Sequence, residues 1–210
     1  MTMLLDTKSL ARFEPIRDKD EEIYWVGKPA FVPFIITGIP FLIFGFLWGA
    51  FDYFGFIRHM NKMPNDFAGF GIPFFALHLL PFWLSILNML RLFLVHGNTY
   101  YALSNKRLLA RSGFWGTDFK TVDYDKISDM EVNVNPIENM FGVGTIQAFS
   151  GRTTSKGAKI YDRFIAVANP YEVFKRIKEV SVDIKTDWNY PNALRPEENP
   201  GYATKYKARP

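Results

Sequence analysis

The stretch PAFVPFIITGIPFLIFGFLWGAF, residues 29–51, contains no Asp, Glu, Lys or Arg in 23 consecutive positions. A second stretch, FAGFGIPFFALHLLPFWLSILNML at residues 67–90, is uncharged over 24 positions. A helix that crosses a bilayer needs about 20 apolar residues, whereas a core helix of a soluble protein needs only one apolar face. The two stretches therefore predict a transmembrane helical hairpin at residues 29–96, with spans at about 29–52 and 67–95.

Basic residues flank this hairpin unevenly. Within about twenty residues of the spans, four precede the first, four follow the second, and two lie in the linker: Arg12, Arg17, Lys19 and Lys28; Arg91, Lys106, Arg107 and Arg111; Arg58 and Lys62. Because Lys and Arg accumulate on the cytoplasmic side, we expect both termini in the cytoplasm and the protein in the inner (cytoplasmic) membrane. Residues 1–28 mix both charge signs and lack the apolar core of a cleavable signal peptide, so they predict a cytoplasmic N-terminal segment.

Composition and residue pattern argue against catalysis. The sequence has no cysteine, which excludes disulfides, thiolate zinc sites and a cysteine nucleophile. Its three histidines lie in or beside the hairpin, and no nucleophile, base and acid group together. Asp123 and Asp125 beside Lys126 are better explained by a turn than by a metal site. We therefore expect no enzyme activity, no catalytic residue, no cofactor and no metal, and the mild net charge of +4 predicts no nucleic-acid partner.

Two sets of residues within the spans invite a functional or a structural interpretation. Gly38, Gly45 and Gly49 fall on one helical face, which predicts close helix packing; the alternative is the ordinary abundance of glycine in membrane helices. The polar residues of the second span are His78, Ser85 and Asn88. They could form a proton, quinone or pigment site, but the absence of an acidic residue in either uncharged stretch favours interhelical hydrogen bonding.

After residue 96 the pattern changes to short alternating runs, which predict strands of a small antiparallel barrel or sandwich at residues 97–184. The predicted strands are Thr99–Ser104, Arg107–Ser112, Phe114–Tyr124, Ile127–Val134, Gly144–Phe149 and Lys159–Val167. A closing helix follows, with a capping box expected from Asn169 and Glu172 and an apolar stripe at Val173, Ile177, Val180 and Ile184.

Four segments, in this order, resemble the bacterial pleckstrin-homology family of membrane proteins: EEIYWVGKPAF (21–31), YYALSNKRLLARSGFWG (100–116), FGVGTIQAF (141–149) and NPYEVFKRI (169–177). The resemblance covers roughly residues 20–182. It implies an α+β protein in which a PH-like antiparallel domain, capped by a C-terminal helix, follows a two-helix membrane anchor. It also implies binding of lipids or proteins without catalysis, although fold alone does not give function.

Two basic sets are candidates for binding anionic headgroups: Lys106, Arg107 and Arg111, and Arg152, Lys156 and Lys159. Cations near an anionic leaflet gain about 1 kcal/mol each, and the first set is close in sequence to the second span. The alternative is that these residues are solvated turn positions.

The C-terminal tail, residues 185–210, is rich in proline and lacks apolar periodicity, which predicts an extended segment. Its aromatic residues Trp188, Tyr190, Tyr202 and Tyr206 are candidate partner contacts.

The sequence thus predicts a non-enzymatic membrane scaffold or adaptor that presents a PH-like domain on the cytoplasmic face. Its expected partners are membrane lipids and other membrane-protein subunits or a second copy of the chain. The alternative is an accessory or assembly subunit of a larger bioenergetic complex, photosynthetic or respiratory, held by the N-terminal segment and the tail.

Overall fold

The computed structural model describes residues 7–62 and 65–189, without the side chains of residues 60–69 and 186–189. The chain divides into two compact units. One combines Met1–Pro33 with Asn98–Pro210, and the other is Phe34–Gly97. The first unit is therefore discontinuous in sequence, because the apolar hairpin is inserted within it.

The first unit contains two antiparallel sheets. Sheet one has the order β1-β2-β3-β4, with strands Ile23–Gly27, Tyr100–Ser104, Arg107–Ser112 and Asp118–Asp123. Sheet two has the order β5-β6-β7, with strands Asp129–Asn133, Val143–Thr153 and Lys159–Ala168. The antiparallel PH-like domain expected from sequence is confirmed in this α+β form, but the two sheets do not close into a barrel.

Seven helices are described along the chain, numbered α1 to α7: Thr7–Leu10, Phe31–Ile36, Ile39–Gly55, Asn65–His78, Leu80–Asn98, Pro136–Met140 and Pro170–Asn189. Helix α7 begins where the sequence predicts and continues to Asn189, so the first residues of the predicted tail are helical. Asn169, at φ 49°, offers its backbone carbonyl to Glu172 and Val173. A complete capping box instead forms at Asn135 and Glu138, at the start of α6.

The main core of this unit lies between the two sheets and α7. Leu103, Tyr124 and Ile177 are fully buried in it. The predicted stripe of α7 supplies Val173, Ile177 and Val180 to this core, with Ile184 packed at its border. A second cluster covers the other face of sheet one, where Phe13 is fully buried. The N-terminal segment is thus part of the domain, although the sequence assigned residues 1–28 to a separate region.

Strand β1 ties that segment into the fold. Residues 23–27 pair with β2, which lies more than 70 residues later in the sequence. The domain boundary at residue 97 is therefore corrected: the PH-like unit begins before the hairpin and resumes after it.

The second unit is built by α3, α4 and α5. Pro73 lies inside α4, and Pro81 follows the break between α4 and α5 at Leu79. Proline lacks the N–H that would continue the helix, which accounts for the interruption. Ring contacts join the helices in antiparallel order, with Phe46 against Phe82 at 5.4 Å and Trp48 against His78 at 5.0 Å between centroids.

Candidate functional site

An acidic segment before β1 binds the turn between β2 and β3. Glu21, only 3% exposed, accepts hydrogen bonds from Ser104 Oγ at 2.7 Å, from Arg107 Nε at 3.0 Å and from Arg107 Nη2 at 2.8 Å. The backbone N–H of Asp18 donates a further bond of 3.1 Å to its carboxylate. Bidentate, charge-assisted contacts of this kind are among the strongest hydrogen bonds in proteins.

The neighbouring residues extend this contact. Asn105 N donates to the carbonyl of Glu22 at 2.9 Å, and Glu22 N donates to Asn105 Oδ1 at 3.0 Å. Lys106 Nζ lies 2.7 Å from Asp20 Oδ1. We call residues 18–22 with 104–107 the clasp. The acidic pair and the Ser-Asn-x-Arg run, two of the segments that carry the family resemblance, are the two halves of one contact.

The cations of the clasp favour the ionised form of two of its carboxylates, Glu21 and Asp20. Burial opposes ionisation of Glu21, but the hydrogen bonds from Arg107 and Ser104 hold the pKa of that carboxyl below its ordinary value. The hydrogen bond from Lys106 likewise lowers the pKa of Asp20. The Arg107 guanidinium is held in its charged form by the hydrogen bond with Glu21, which raises its pKa. The clasp is therefore a fixed ion-pair network rather than a proton-exchanging site.

The structure separates the residues of the first basic set. Lys106 and Arg107 lie at the β2–β3 turn and face carboxylates, whereas Arg111 lies four residues along β3, about 13 Å away at strand spacing. The acidic residues Asp18, Asp20 and Glu21 are visible in the sequence. Nothing in the sequence indicates that they pair with cations that follow the hairpin. Cations already matched by carboxylates have less charge to offer a phosphate.

The second basic set lies in and beside the β6–β7 loop. Arg152 is paired with Asp162, and Lys159 Nζ lies 4.9 Å from the centroid of the Phe149 ring. Lys156 is exposed in the loop itself. Among the described residues, Arg152 is therefore paired with a carboxylate, whereas Lys156 and Lys159 are not.

The hairpin contains a carboxylate–imidazole pair that the sequence did not predict. Asp52, on α3, is fully buried, and its two carboxylate oxygens lie 3.0 and 2.8 Å from His78 Nδ1. Trp48 Nε1 donates to the backbone carbonyl of His78 at 2.9 Å, and the Phe74 ring stacks on the imidazole at 5.2 Å. His78 was expected to lack a carboxylate partner. Asp52 supplies one. It was overlooked because it lies one position beyond the uncharged stretch 29–51.

The predicted glycine face lies against the second helical segment. A Cβ on Gly45 would lie 2.1 Å from Ser85 Oγ, and one on Gly38 would lie 2.4 Å from Leu92 Cδ1. A Cβ on Gly49 would lie 3.0 Å from the Phe82 ring. Ser85 is itself buried and donates to the carbonyl of Phe82 at 2.7 Å. Asn88 accepts hydrogen bonds from Arg91 one turn later, at 3.1 and 3.3 Å.

Most of the tail lies outside the described residues. Trp188 belongs to the last turn of α7, but its side chain is among those not described, and Tyr190, Tyr202 and Tyr206 lie beyond residue 189. Their role as partner contacts stays a prediction, as does the assembly-subunit alternative that depends on them.

Among the side chains that the structure describes, in residues 7–59 and 70–185, no three His, Asp or Glu side chains converge as metal ligands would. The polar groups that do converge, in the clasp and at Asp52, hold segments of this chain together.

This chain is similar to known proteins in sequence and in fold. The crystal structure of a DUF1696 family protein with a pleckstrin-homology domain from Shewanella loihica PV-4 is similar at a TM-score of 0.40 and 10% identity, over 84% of this chain and 98% of that one. No curated protein matches the sequence. The family model described as "Bacterial PH domain" matches residues 28–181, which is more than half of the chain. The chain therefore belongs to the bacterial PH domain family.

Proposed function

We propose that this protein is a non-enzymatic integral membrane scaffold. Its apolar hairpin anchors it, and its PH-like domain binds proteins or lipid headgroups on the cytoplasmic face. The observation that carries the proposal is the surface of the hairpin, and the strand pairing of the domain supports its topology.

Two helical segments are long and apolar enough to cross a membrane: Ile39–His59, 21 residues, and Phe70–Asn98, 29 residues. Many of their large apolar side chains are exposed: Ile43, Phe44, Phe46, Leu47, Phe51, Phe70, Ile72, Leu77, Trp83, Leu84, Leu87 and Leu90. Soluble proteins rarely expose contiguous apolar patches of more than a few hundred Å². Lipid acyl chains are themselves apolar, so a bilayer would remove this surface from water, which is why we favour insertion.

The pairing of β1 with β2 supports a hairpin topology. Gly27 is opposite Tyr101 in that pairing, and the entire apolar unit lies between them in sequence. Two strands can share hydrogen bonds only when they lie on the same side of a membrane. An even number of crossings follows from the proposal, and the basic flanks then favour the cytoplasm for the domain.

The domain itself supports a binding role. Its buried carboxylate Glu21 is paired with Arg107, and Tyr124 donates its hydroxyl to the carbonyl of Ser104 at 2.9 Å. Such satisfied networks rigidify a fold. A rigid domain held close to a membrane suits the recognition of partners, which is the role we propose for it.

Topology can be tested with single cysteines, because the natural sequence has none. We would place one in the linker, His59→Cys, and one in the β6–β7 loop, Ser155→Cys, and label bacterial spheroplasts with a membrane-impermeant maleimide. We expect His59→Cys to react in intact spheroplasts and Ser155→Cys to react only after permeabilisation. Reaction of both in intact cells would contradict the cytoplasmic domain, and release of the protein by alkaline carbonate would contradict the anchor.

A further inference from the structure

Cationic side chains surround the Tyr100 ring at the end of sheet one where β2 begins and β3 ends. We call this end of the sheet its edge. Arg12 Cζ lies 4.3 Å and Lys28 Nζ 5.4 Å from the centroid of the Tyr100 ring. In the register of sheet one, Tyr100 is opposite Arg111, and Arg111 is opposite Phe119. Residues directly opposite each other have Cβ atoms about 5 Å apart on the same face. Three cationic side chains therefore share one end of one sheet face.

No carboxylate of the described residues pairs with these cations. Lys106, Arg107 and Arg152 each have a carboxylate oxygen within 4 Å, but Arg12, Lys28 and Arg111 form no such ion pair with the described side chains, those of residues 7–59 and 70–185. Arg111 Nη2 donates to Thr117 Oγ1 at 3.3 Å, while its Nη1 is buried without a hydrogen-bond acceptor. Like charges in this proximity repel each other, and an anion from outside the chain would relieve that repulsion.

The β3–β4 loop at the same edge exposes two large aromatic side chains. Trp115 is 92% exposed and Phe114 is 38% exposed. The loop is tightly built, since a Cβ on Gly113 would lie 2.0 Å from the carbonyl oxygen of Gly116. Asn98 Nδ2 donates to the Gly113 carbonyl at 3.3 Å, which ties the loop to the start of β2. Tryptophan is the residue type enriched where a membrane meets water.

The chain also enters and leaves the apolar hairpin at this edge. Lys28 precedes Phe31, the first residue of α2, by three positions, and Tyr100 follows Asn98, the last residue of α5, by two. An extended residue spans at most about 3.6 Å, so the edge is covalently limited to about 11 Å from the ends of the apolar segments. Ala30 N is further held by the carbonyl of Ala166 at 2.8 Å. For an inserted hairpin, that distance places the edge at the lipid headgroups.

We propose that this edge binds the anionic phospholipid surface of the membrane that holds the hairpin. Arg12, Lys28 and Arg111 bind headgroup phosphates, and Trp115 inserts its indole ring between the headgroups. We call these four residues the lipid edge. The inference rests on the proposed membrane anchorage, and it differs from the basic sets predicted from sequence by replacing all of their members except Arg111.

The first test measures the depth of the β3–β4 loop in the full-length protein. Gly116 has no atom within 4 Å of a built Cβ, so a nitroxide on Gly116→Cys fits beside an intact Trp115. Matched labels are Tyr171→Cys, exposed at the start of α7, and Leu84→Cys, exposed on the hairpin. Each variant is reconstituted in vesicles of phosphatidylcholine and phosphatidylglycerol, and the label's collisions with oxygen and with an aqueous nickel complex are compared.

We expect the labels at positions 116 and 84 to favour oxygen and the label at 171 to favour the nickel complex. Adding Trp115→Ala should shift the label at 116 towards the aqueous response. An aqueous label at 116 with a lipid-exposed label at 84 would overturn the lipid edge while leaving the anchor intact, and would point to a protein occupant. An aqueous label at 84 would overturn the anchor and the lipid edge together.

The second test measures lipid selectivity. The double variant Arg12→Gln/Lys28→Gln is compared with the control Lys175→Gln/Lys178→Gln, which removes the same charge from exposed positions of α7. Selectivity for spin-labelled phosphatidylglycerol over phosphatidylcholine should fall by up to about fivefold per lost cation in the first variant. The control should change little. Equal selectivity in the two variants would overturn the role of these cations.

Discussion

The clasp and the hairpin each bury one carboxylate, and they stabilise it in opposite ways. Glu21 accepts four hydrogen bonds from three residues, including both donors of a bidentate guanidinium. Asp52 is at least as buried, yet among the described side chains its carboxylate is contacted by a single imidazole nitrogen. Within one chain, a carboxylate with four hydrogen-bond donors thus anchors the domain, whereas the carboxyl group of the hairpin has one described partner. The contrast predicts different responses to mutation.

The largest effect is expected from breaking the clasp. Glu21→Gln leaves the Arg107 guanidinium without its bidentate partner in a largely buried position, which should lower the free energy of unfolding of the domain by about 3 kcal/mol. Denaturant unfolding of the full-length protein in mild detergent, followed by tryptophan fluorescence, measures this. The control Asp20→Asn removes an exposed carboxylate of the same network and should have little effect. Equal losses in the two variants would show that the buried pair is not the stabilising element.

Removing the partner of Asp52 should come next. His78→Leu leaves a fully buried carboxylate without its hydrogen bond, at a cost of about 2 kcal/mol to the packing of the hairpin. The double variant Asp52→Leu/His78→Leu should recover most of this loss, because apolar replacement of both members of a buried pair is often neutral or stabilising. Unfolding in increasing mole fractions of dodecyl sulfate, followed by circular dichroism, measures both. A double variant as unstable as the single one would contradict a simple two-residue balance.

A smaller effect is expected from the glycine that lets the helices approach. Gly45→Ala places a methyl group 2.1 Å from Ser85 Oγ and 3.0 Å from the Pro81 carbonyl. The helices must then separate, which should cost about 1 to 2 kcal/mol and weaken the Asp52–His78 contact as well. Gly55→Ala is the matched control, since its Cβ would meet nothing within 4 Å. The same detergent unfolding applies, and an equal response at both glycines would argue against close packing at Gly45.

The mildest perturbation is acid. The pKa of Glu21 is lowered in the folded domain from an ordinary value of 4.5, so its stabilising contribution is complete above pH 4.5 and is lost as the pH falls through the lowered value. We expect the unfolding midpoint of the domain to decline below about pH 4.5. The decline should be shallower in Glu21→Gln, which has no carboxyl to protonate at this position. Identical pH profiles would assign the decline to other carboxylates.

The sequence predicted the local elements of the fold better than their connections. The strands after residue 98 and the apolar face of α7 were visible because their signals repeat within a few residues. Strand β1 was missed because the five residues Ile23–Gly27 have their partner more than 70 positions away. A short run without its pairing strand cannot be distinguished from the approach to a membrane span.

The candidate sites show the same limit. Lys106 and Arg107 looked available to headgroups because Asp18, Asp20 and Glu21 lie more than 80 positions earlier. His78 looked unpaired because Asp52 lies 26 positions before it, beyond the linker. In both cases the residue types were correctly noted. What sequence could not supply was which charge faces which, since the hairpin brings its two flanks together.

The insertion of the hairpin between β1 and β2 also fixes an order of events during synthesis. Residues 23–27 leave the ribosome long before residues 100–104, so β1 has no partner until both apolar segments have been made. For the inserted hairpin that we propose, failure of one segment to cross would leave the two strands on opposite sides of the bilayer, and sheet one could not form. Completion of the domain would then report that its anchor has been threaded correctly.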